Sequence, residues 1–197
     1  YISNHSSGKM GYALAQAALR AGATVTLISG PTDLPCPAKV KRISVMTAEE
    51  MFTAVHHALD EADIFIAAAA VTDYRPTLFS KQKIKTAGDE NVIACTKNRD
   101  ILASVGYLPN KPFVVGFAAE TENLLEHAKE KLKSKNCDLL IANTVGGEHS
   151  ALGGNENAVT VISNRQQWQW PRMQKSLLAK ELIQLIAQQS SSTTEKA

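Results

Sequence analysis

The stretch richest in reactive and ligand-binding side chains is Ser3-Asn4-His5-Ser6-Ser7-Gly8-Lys9-Met10-Gly11, a polar loop that runs straight into Met10, Ala13, Leu14, Ala17 and Ala18 at helical spacing. The loop therefore opens a helix, with Ser6 and Ser7 as its expected caps and Gly8 and Gly11 as points of close approach. A helix start presents unpaired N–H groups and the positive end of the macrodipole, so Ser6, Ser7 and Gly8 are candidates to cradle a phosphate. The Walker pattern is excluded, because the positions that need its first Gly and its Ser or Thr hold Ser3 and Met10. Ser6 to Gly11 is closer to the dinucleotide fingerprint G-x-G-x-x-G with Ser in place of the first Gly. However, the following strand ends in Ser29-Gly30-Pro31, where a nicotinamide dinucleotide would need an acidic residue for its ribose. A capped helix with no ligand is the competing reading.

Three further groups could act with this loop. Asp73 lies in the polar turn Thr72-Asp73-Tyr74-Arg75-Pro76, which follows the apolar run Ile64 to Val71. Lys81, Lys83 and Lys85 alternate in a lysine-rich stretch, and Lys131 and Lys135 share one helix face at i and i+4. Both lysine groups suit a polyanion, and a solvated charged face is the alternative for each. Tyr107-Leu-Pro-Asn-Lys111 imitates the Tyr-x-x-x-Lys pair of short-chain dehydrogenases, but Pro109 forbids the helical turn such a pair needs. Adjacent His56 and His57 point about 100 degrees apart on a helix and do not form a ligand pair.

The elements that must position these groups alternate between strand and helix. Strands are expected at Thr24–Ile28, Arg42–Met46, Asp63–Val71, Asn91–Lys97, Phe113–Phe117, Asp138–Ala142 and Ala158–Ile162. Thr47-Ala-Glu-Glu50 is a capping box for a helix with Met51, Val55, Ala58 and Leu59 inward. Asp100 ends a cap for a short helix over 101–106; the segments 121–136 and 174–187 complete the helices. Asp63–Val71, apolar on both faces, is expected to be central in a parallel sheet, and its small Ala67 to Ala70 would let a flat ring approach at the carboxyl strand end. The fold class is α/β, a three-layer Rossmann-like, mostly parallel sheet. A single domain is expected over residues 1–190, with a Gly-rich β-arm at about 144–172 and a disordered tail over 191–197.

Composition sets outer bounds. The 197 residues carry a net charge of +2, with 44% hydrophobic and 20% charged residues, which favours a globular domain and gives no basis for nucleic-acid or membrane partners. Cys36, Cys95 and Cys137 are widely spaced and odd in number, as expected of reduced thiols in a cytoplasmic protein. A chain that opens on Tyr1, directly at the cradle, is expected to be part of a longer polypeptide.

Taken together, Ser-Asn-His-Ser-Ser-Gly-Lys-Met-Gly, Ala-Ala-Ala-Val-Thr-Asp-Tyr-Arg, Lys-Ile-Lys, Lys-Asn-Arg-Asp-Ile-Leu, Val-Val-Gly-Phe-Ala-Ala-Glu-Thr and Ile-Ala-Asn resemble phosphopantothenoylcysteine synthetase, from Ser3 to about residue 187. In bacteria that family is the C-terminal half of a bifunctional coenzyme A biosynthesis protein. The resemblance implies a ligase that activates 4'-phosphopantothenate with CTP and Mg2+ to an acyl-cytidylate, which cysteine then converts to the amide. It implies Asn4 as the residue that holds the activated acyl group and Lys83 as the lysine needed to form it. Ala67, Ala68, Ala69, Asp73, Phe117, Arg99, Asp100, Ile101 and Leu102 match nucleotide-binding positions, as do Lys131 and Lys135; Ala70 and Asn143 join Asn4 at the acyl substrate, and Asp73 would hold the metal. A homodimer joined through the arm and an upstream FMN-dependent decarboxylase half are also implied. The family's first strand, its loop and an arginine ahead of the cradle are absent from this chain, so the sheet is expected to lack a central member. The alternatives are a Rossmann-type dinucleotide-binding oxidoreductase and a non-catalytic nucleotide-binding module.

Overall fold

The structure is a computed structural model and describes residues 2–4, 6–78, 92–120, 123–144 and 154–194. In chain order the elements are α1 (Lys9–Arg20), β1 (Thr26–Ser29), β2 (Lys41–Ser44), α2 (Ala48–Ala58), β3 (Ile64–Ala67), β4 (Tyr74–Pro76) and β5 (Cys95–Lys97). They continue with α3 (Ile101–Gly106), β6 (Phe113–Glu120), α4 (Leu124–Ser134), β7 (Leu139–Thr144), β8 (Glu156–Ile162), β9 (Gln167–Gln174) and α5 (Lys175–Thr194). A five-stranded sheet runs β3-β6-β7-β8-β9. Its β3, β6 and β7 are parallel, and the hairpin β8–β9 extends it antiparallel.

The three layers follow from alternation along the central strands. Val115, Leu139 and Ile141 point to one face, where α5 packs through Leu178, Leu182 and Ile186 and α1 through Leu14. Their neighbours Val114, Leu140 and Ala142 point to the other, against Val55 of α2, Val105 of α3 and Leu132 of α4. Side chains at successive strand positions face opposite ways, so apolar residues at every position require a cover on both sides. Gly116 sits where Leu102 and Leu140 converge: a Cβ there would lie 2.8 Å from the tips of both leucines.

Several expectations are corrected. The run Asp63–Val71 forms only the short strand β3, which lies partly buried at the edge of the five-stranded sheet, whereas β6 and β7 occupy the middle. The parallel pair β1–β2 forms a separate small sheet; Tyr12 and Ser29 join α1 to β1 by a hydroxyl pair at 3.1 Å, while Ile28 of β1 and Phe65 of β3 both pack against the core cluster on the α2 face. No ladder joins β1 to β3, so among the described residues the two parallel units are separate sheets. α1 begins after Gly8, which has φ 71° and makes no side-chain cap, so neither Ser6 nor Ser7 caps the helix. From Glu156 onward the arm is part of the main sheet, with Trp168 and Trp170 against the core. α5 runs on to Thr194, since Ser190, Ser191 and Ser192 return their hydroxyls to the carbonyls of Ala187 and Gln188 and so remain compatible with helix.

The local signals hold where they are local. Thr47 accepts from the N–H of Glu50 at 3.1 Å, and the Glu50 carboxylate returns to the N–H of Met46 at 2.7 Å. Asp100 caps α3 by accepting from the N–H of Ala103 at 2.9 Å. Among the described residues no helix is long and apolar enough to cross a membrane.

Candidate functional site

Parallel register brings the carboxyl ends of β3, β6 and β7 together: Ala67 pairs with Gly116 and Ala119 with Asn143. That edge is where open α/β sheets receive ligands. Ala67 to Ala70, Phe117 and Asn143 all belong to it. The cradle reaches the same edge from α1, because Gly11 passes Ala68 so closely that a Cβ on it would stand 3.8 Å from the alanine methyl. Within the cradle, Gly8 takes the left-handed conformation and its N–H donates to Ser6 Oγ at 3.5 Å.

Asn4 ties cradle and strand end together. Its Nδ2 donates to the carbonyls of Ala70 at 3.3 Å and Val71 at 3.2 Å. Both partners are acceptors, so the amide nitrogen faces the strand and Oδ1 is the atom left for a ligand. The turn that follows is fastened by Asn98, which donates from its backbone N–H to Asp73 O at 2.7 Å and from its side chain to Thr72 O at 2.8 Å. Arg75 braces Asn98 Oδ1 at 2.9 Å. The next residues carry the contacts on to α4: Asp100 caps α3 with one carboxylate oxygen and receives Lys135 Nζ on the other. Burial raises the Asp100 pKa, but the Ala103 N–H and Lys135 outweigh it and hold the carboxyl below its ordinary value.

Thus Asn4, Ala70, Asp73, Arg99, Asp100 and Lys135 stand along one connected rim, assembled from the cradle, the β3 turn, the loop before α3 and the end of α4. Lys131 lies one turn before Lys135 on the exposed face of α4. Ile101 and Leu102 do not join the rim through their side chains: Ile101 is buried in the core, and Leu102 packs over Gly116. The guanidinium of Arg99 is held by Glu49 and lies 3.5 Å over the Phe52 ring. Lys83, with Lys81 and Lys85, lies outside the described residues. Asp73 is exposed, and among the described residues no cluster of three or more His, Cys, Asp or Glu could hold a metal by itself. A lone carboxylate nonetheless suits Mg2+, which takes one or two protein carboxylates and leaves the other positions to water and substrate phosphates.

Sequence reasoning missed Asn98, Glu49 and Phe52. Asn98 was visible only as part of a cap, and nothing in residue type or spacing links Glu49 to Arg99 across 50 positions. At the end of β1, where a dinucleotide needs a carboxylate, Ser29 is buried with its hydroxyl shared between Tyr12 and the carbonyl of Gly30. Cys137 is buried and its thiol is pushed up to about 12 by that burial, which makes it an inert packing residue.

Residues 1–189 match the profile of the DNA/pantothenate metabolism flavoprotein C-terminal domain. The chain belongs to that family. It is 48% identical over 189 residues to the coenzyme A biosynthesis bifunctional protein CoaBC of Vibrio vulnificus, covering 94% of this chain and 47% of the relative. The CoaBC protein of Escherichia coli is 47% identical over 190 residues, with 94% and 47% covered. The chain therefore spans about half the length of the curated relatives it matches. Among solved structures, the C-terminal domain of a CoaBC protein superposes with a TM-score of 0.81 at 34% identity, over 98% of this chain and 87% of that one. The family's fold is thus the one on which the rim is built, and the oxidoreductase reading loses its footing.

Proposed function

We propose that this family member is a phosphopantothenate–cysteine ligase acting in coenzyme A biosynthesis, with CTP and Mg2+ as co-substrate and cofactor. What supports the reading is that Asn4, Ala70 and Asp73 lie in one hydrogen-bonded chain at the carboxyl end of β3, which Asn98 and Asp100 carry on to Arg99 and to the Nζ of Lys135. The bifunctional relatives support it, and so does the relatedness to a CoaBC C-terminal domain. A cytoplasmic homodimer, fused to an upstream FMN-dependent decarboxylase half, completes the proposal. CTP in place of ATP rests on the family resemblance.

In the first half-reaction a carboxylate oxygen of 4'-phosphopantothenate attacks the α-phosphorus of CTP, the bond to the β-phosphate oxygen breaks, and pyrophosphate leaves. The cradle around Ser6, Ser7 and Gly8 and the lysines Lys83 and Lys131 bind and neutralise the phosphates, and Asp73 would hold the metal. Bound Mg2+ supplies charge neutralisation on the leaving pyrophosphate. In the second half-reaction the cysteine amine attacks the acyl carbon, the bond to the cytidylate oxygen breaks, CMP departs and the amine gives up a proton. Asn4 Oδ1 accepts from the incoming amine while Nδ2 keeps its hold on the β3 turn.

The test is pyrophosphate release from CTP with 4'-phosphopantothenate, measured with and without cysteine. Lys83→Gln should lower release about 10²-fold or more, since a positioned cation at a developing charge typically contributes that much. Near-normal release by the variant would return Lys81, Lys83 and Lys85 to a solvated face.

A further inference from the structure

One face of α2 does more than its core packing through Phe52 requires, and the proposed chemistry does not account for the rest. Glu49, Phe52 and His56 recur at helical spacing, and all three engage the segment that begins at Arg99. Glu49 accepts from the Arg99 guanidinium through both carboxylate oxygens. Phe52 supports the same guanidinium from below, with its ring 3.5 Å from the central carbon. His56 stacks on Phe52 with ring centroids 4.3 Å apart, and its Nε2 lies 2.9 Å from Ser104 Oγ. The Ser104 hydroxyl donates to Ile101 O at 2.8 Å, so His56 is the donor to Ser104 and the grip runs the length of the 99–104 segment.

This grip is poorly explained as a source of stability. The Glu49 and Arg99 side chains are 53% and 50% exposed, and ion pairs in that setting contribute little because water screens them. What they do restrict is conformation. Arg99 stands between Asn98, which fastens the Thr72–Asp73 turn, and Asp100, which receives Lys135. Pinning its guanidinium on edge and face fixes the peptide planes between those two anchors.

We propose that Glu49 and Phe52 are positioning residues for nucleotide binding: they lock Arg99 so that the backbone from Asn98 to Asp100 is set for the nucleotide before it arrives. The assignment rests on the ligase reading above. It predicts an effect on the nucleotide alone, since the acyl substrate is approached from Asn4 and Ala70 on the far side of the turn.

The experiment compares wild type, Glu49→Gln, Phe52→Leu, Phe52→Tyr and Arg99→Leu. Each is titrated with CTP and magnesium in the absence of acyl substrate and assayed for pyrophosphate release and thermal midpoint. Glu49→Gln and Phe52→Leu should weaken CTP binding about three- to tenfold, from loss of an exposed ion pair or a cation–π contact with its ordering effect. The KM for 4'-phosphopantothenate and kcat should stay within about twofold, and Phe52→Tyr should restore CTP binding. In the Arg99→Leu background neither change should add anything, because the group they hold is gone. Unchanged CTP affinity in both variants would overturn the inference, as would a parallel loss of both KM values, kcat and thermal midpoint. A wild-type protein that binds CTP but releases no pyrophosphate would sink the ligase reading and leave the role of Glu49 and Phe52 to be read from the titrations. A wild-type protein that binds no CTP would end both.

Discussion

On the proposed reaction, Asn4 is the side chain expected to separate the two half-reactions. Its donors are spent on Ala70 and Val71, so the only atom it can offer a substrate is an acceptor. Asn4→Asp loses the donor that holds the side chain on the β3 turn and sets a negative charge against two carbonyls, so its oxygen no longer sits where the amine arrives. The variant is expected to form acyl-cytidylate from CTP and 4'-phosphopantothenate yet pass it to cysteine slowly, so that the intermediate builds up. Quenched reactions followed by mass spectrometry will show it; absence of the intermediate, or a normal second step, would remove Asn4 from this role. Asp73 has a different signature. Its backbone is fastened by Asn98 while its side chain stays exposed, so Asp73→Asn should leave the fold intact. The expected change is a loss of the magnesium dependence of CTP binding, read by titrating the metal at fixed nucleotide.

At the scale of elements, the ends of α3 and α4 are interlocked just behind the rim. Gly106 presses against the carbonyl of Lys135, and Asn136 Nδ2 donates to Gly106 O at 2.6 Å. A Cβ at 106 would run into backbone that cannot rotate away, so Gly106→Ala should cost about 3 kcal/mol, near the upper end for overpacking. It should also weaken CTP binding, because the displaced helix end carries Lys135 away from Asp100. A variant as stable as wild type in urea would show that the two helix ends can part freely. The Asp100–Lys135 pair adds a pH dependence whose sign is fixed. A carboxyl whose folded pKa lies below its unfolded value of 3.8 contributes stability that is present above that value and lost as pH falls through the folded pKa. Asn caps helices nearly as well as Asp, so Asp100→Asn isolates the charge pair. Its cost should be about 1 kcal/mol or less at pH 7, since the pair is partly exposed, and should vanish in acid. Urea midpoints measured against pH would contradict this if the difference were the same at every pH.

At the scale of the whole molecule, α5 is the keystone of one layer: Leu178 and Leu182 are fully buried and pack with Leu14 of α1 and Ile141 of β7. Leu182→Ala should therefore cost about 2–5 kcal/mol, read as a lower urea midpoint at unchanged slope; a cost under about 1 kcal/mol would mean that the layer can collapse around the gap. How much of this was legible beforehand depends on how local the cause is. The capping box at Thr47, the Asp100 cap and the two-faced apolar strands over 113–117 and 139–142 were readable, because each depends on residue types a few positions apart or on alternation along one strand. By the same logic the sequence alone determined a three-layer α/β fold and pointed to the cradle, Asp73 and the lysines of α4. Only tertiary structure decided that β3 ends the five-stranded sheet, because a strand apolar on both faces shows that it is covered above and below but not who pairs along its edges. Nor could the sequence show Asn4 reaching across 66 positions to Ala70, or Arg99 resting on Phe52. A backbone carbonyl has no residue-type signature, and an arginine on an exposed loop looks the same in sequence whether its partner is a nucleotide or a neighbouring helix.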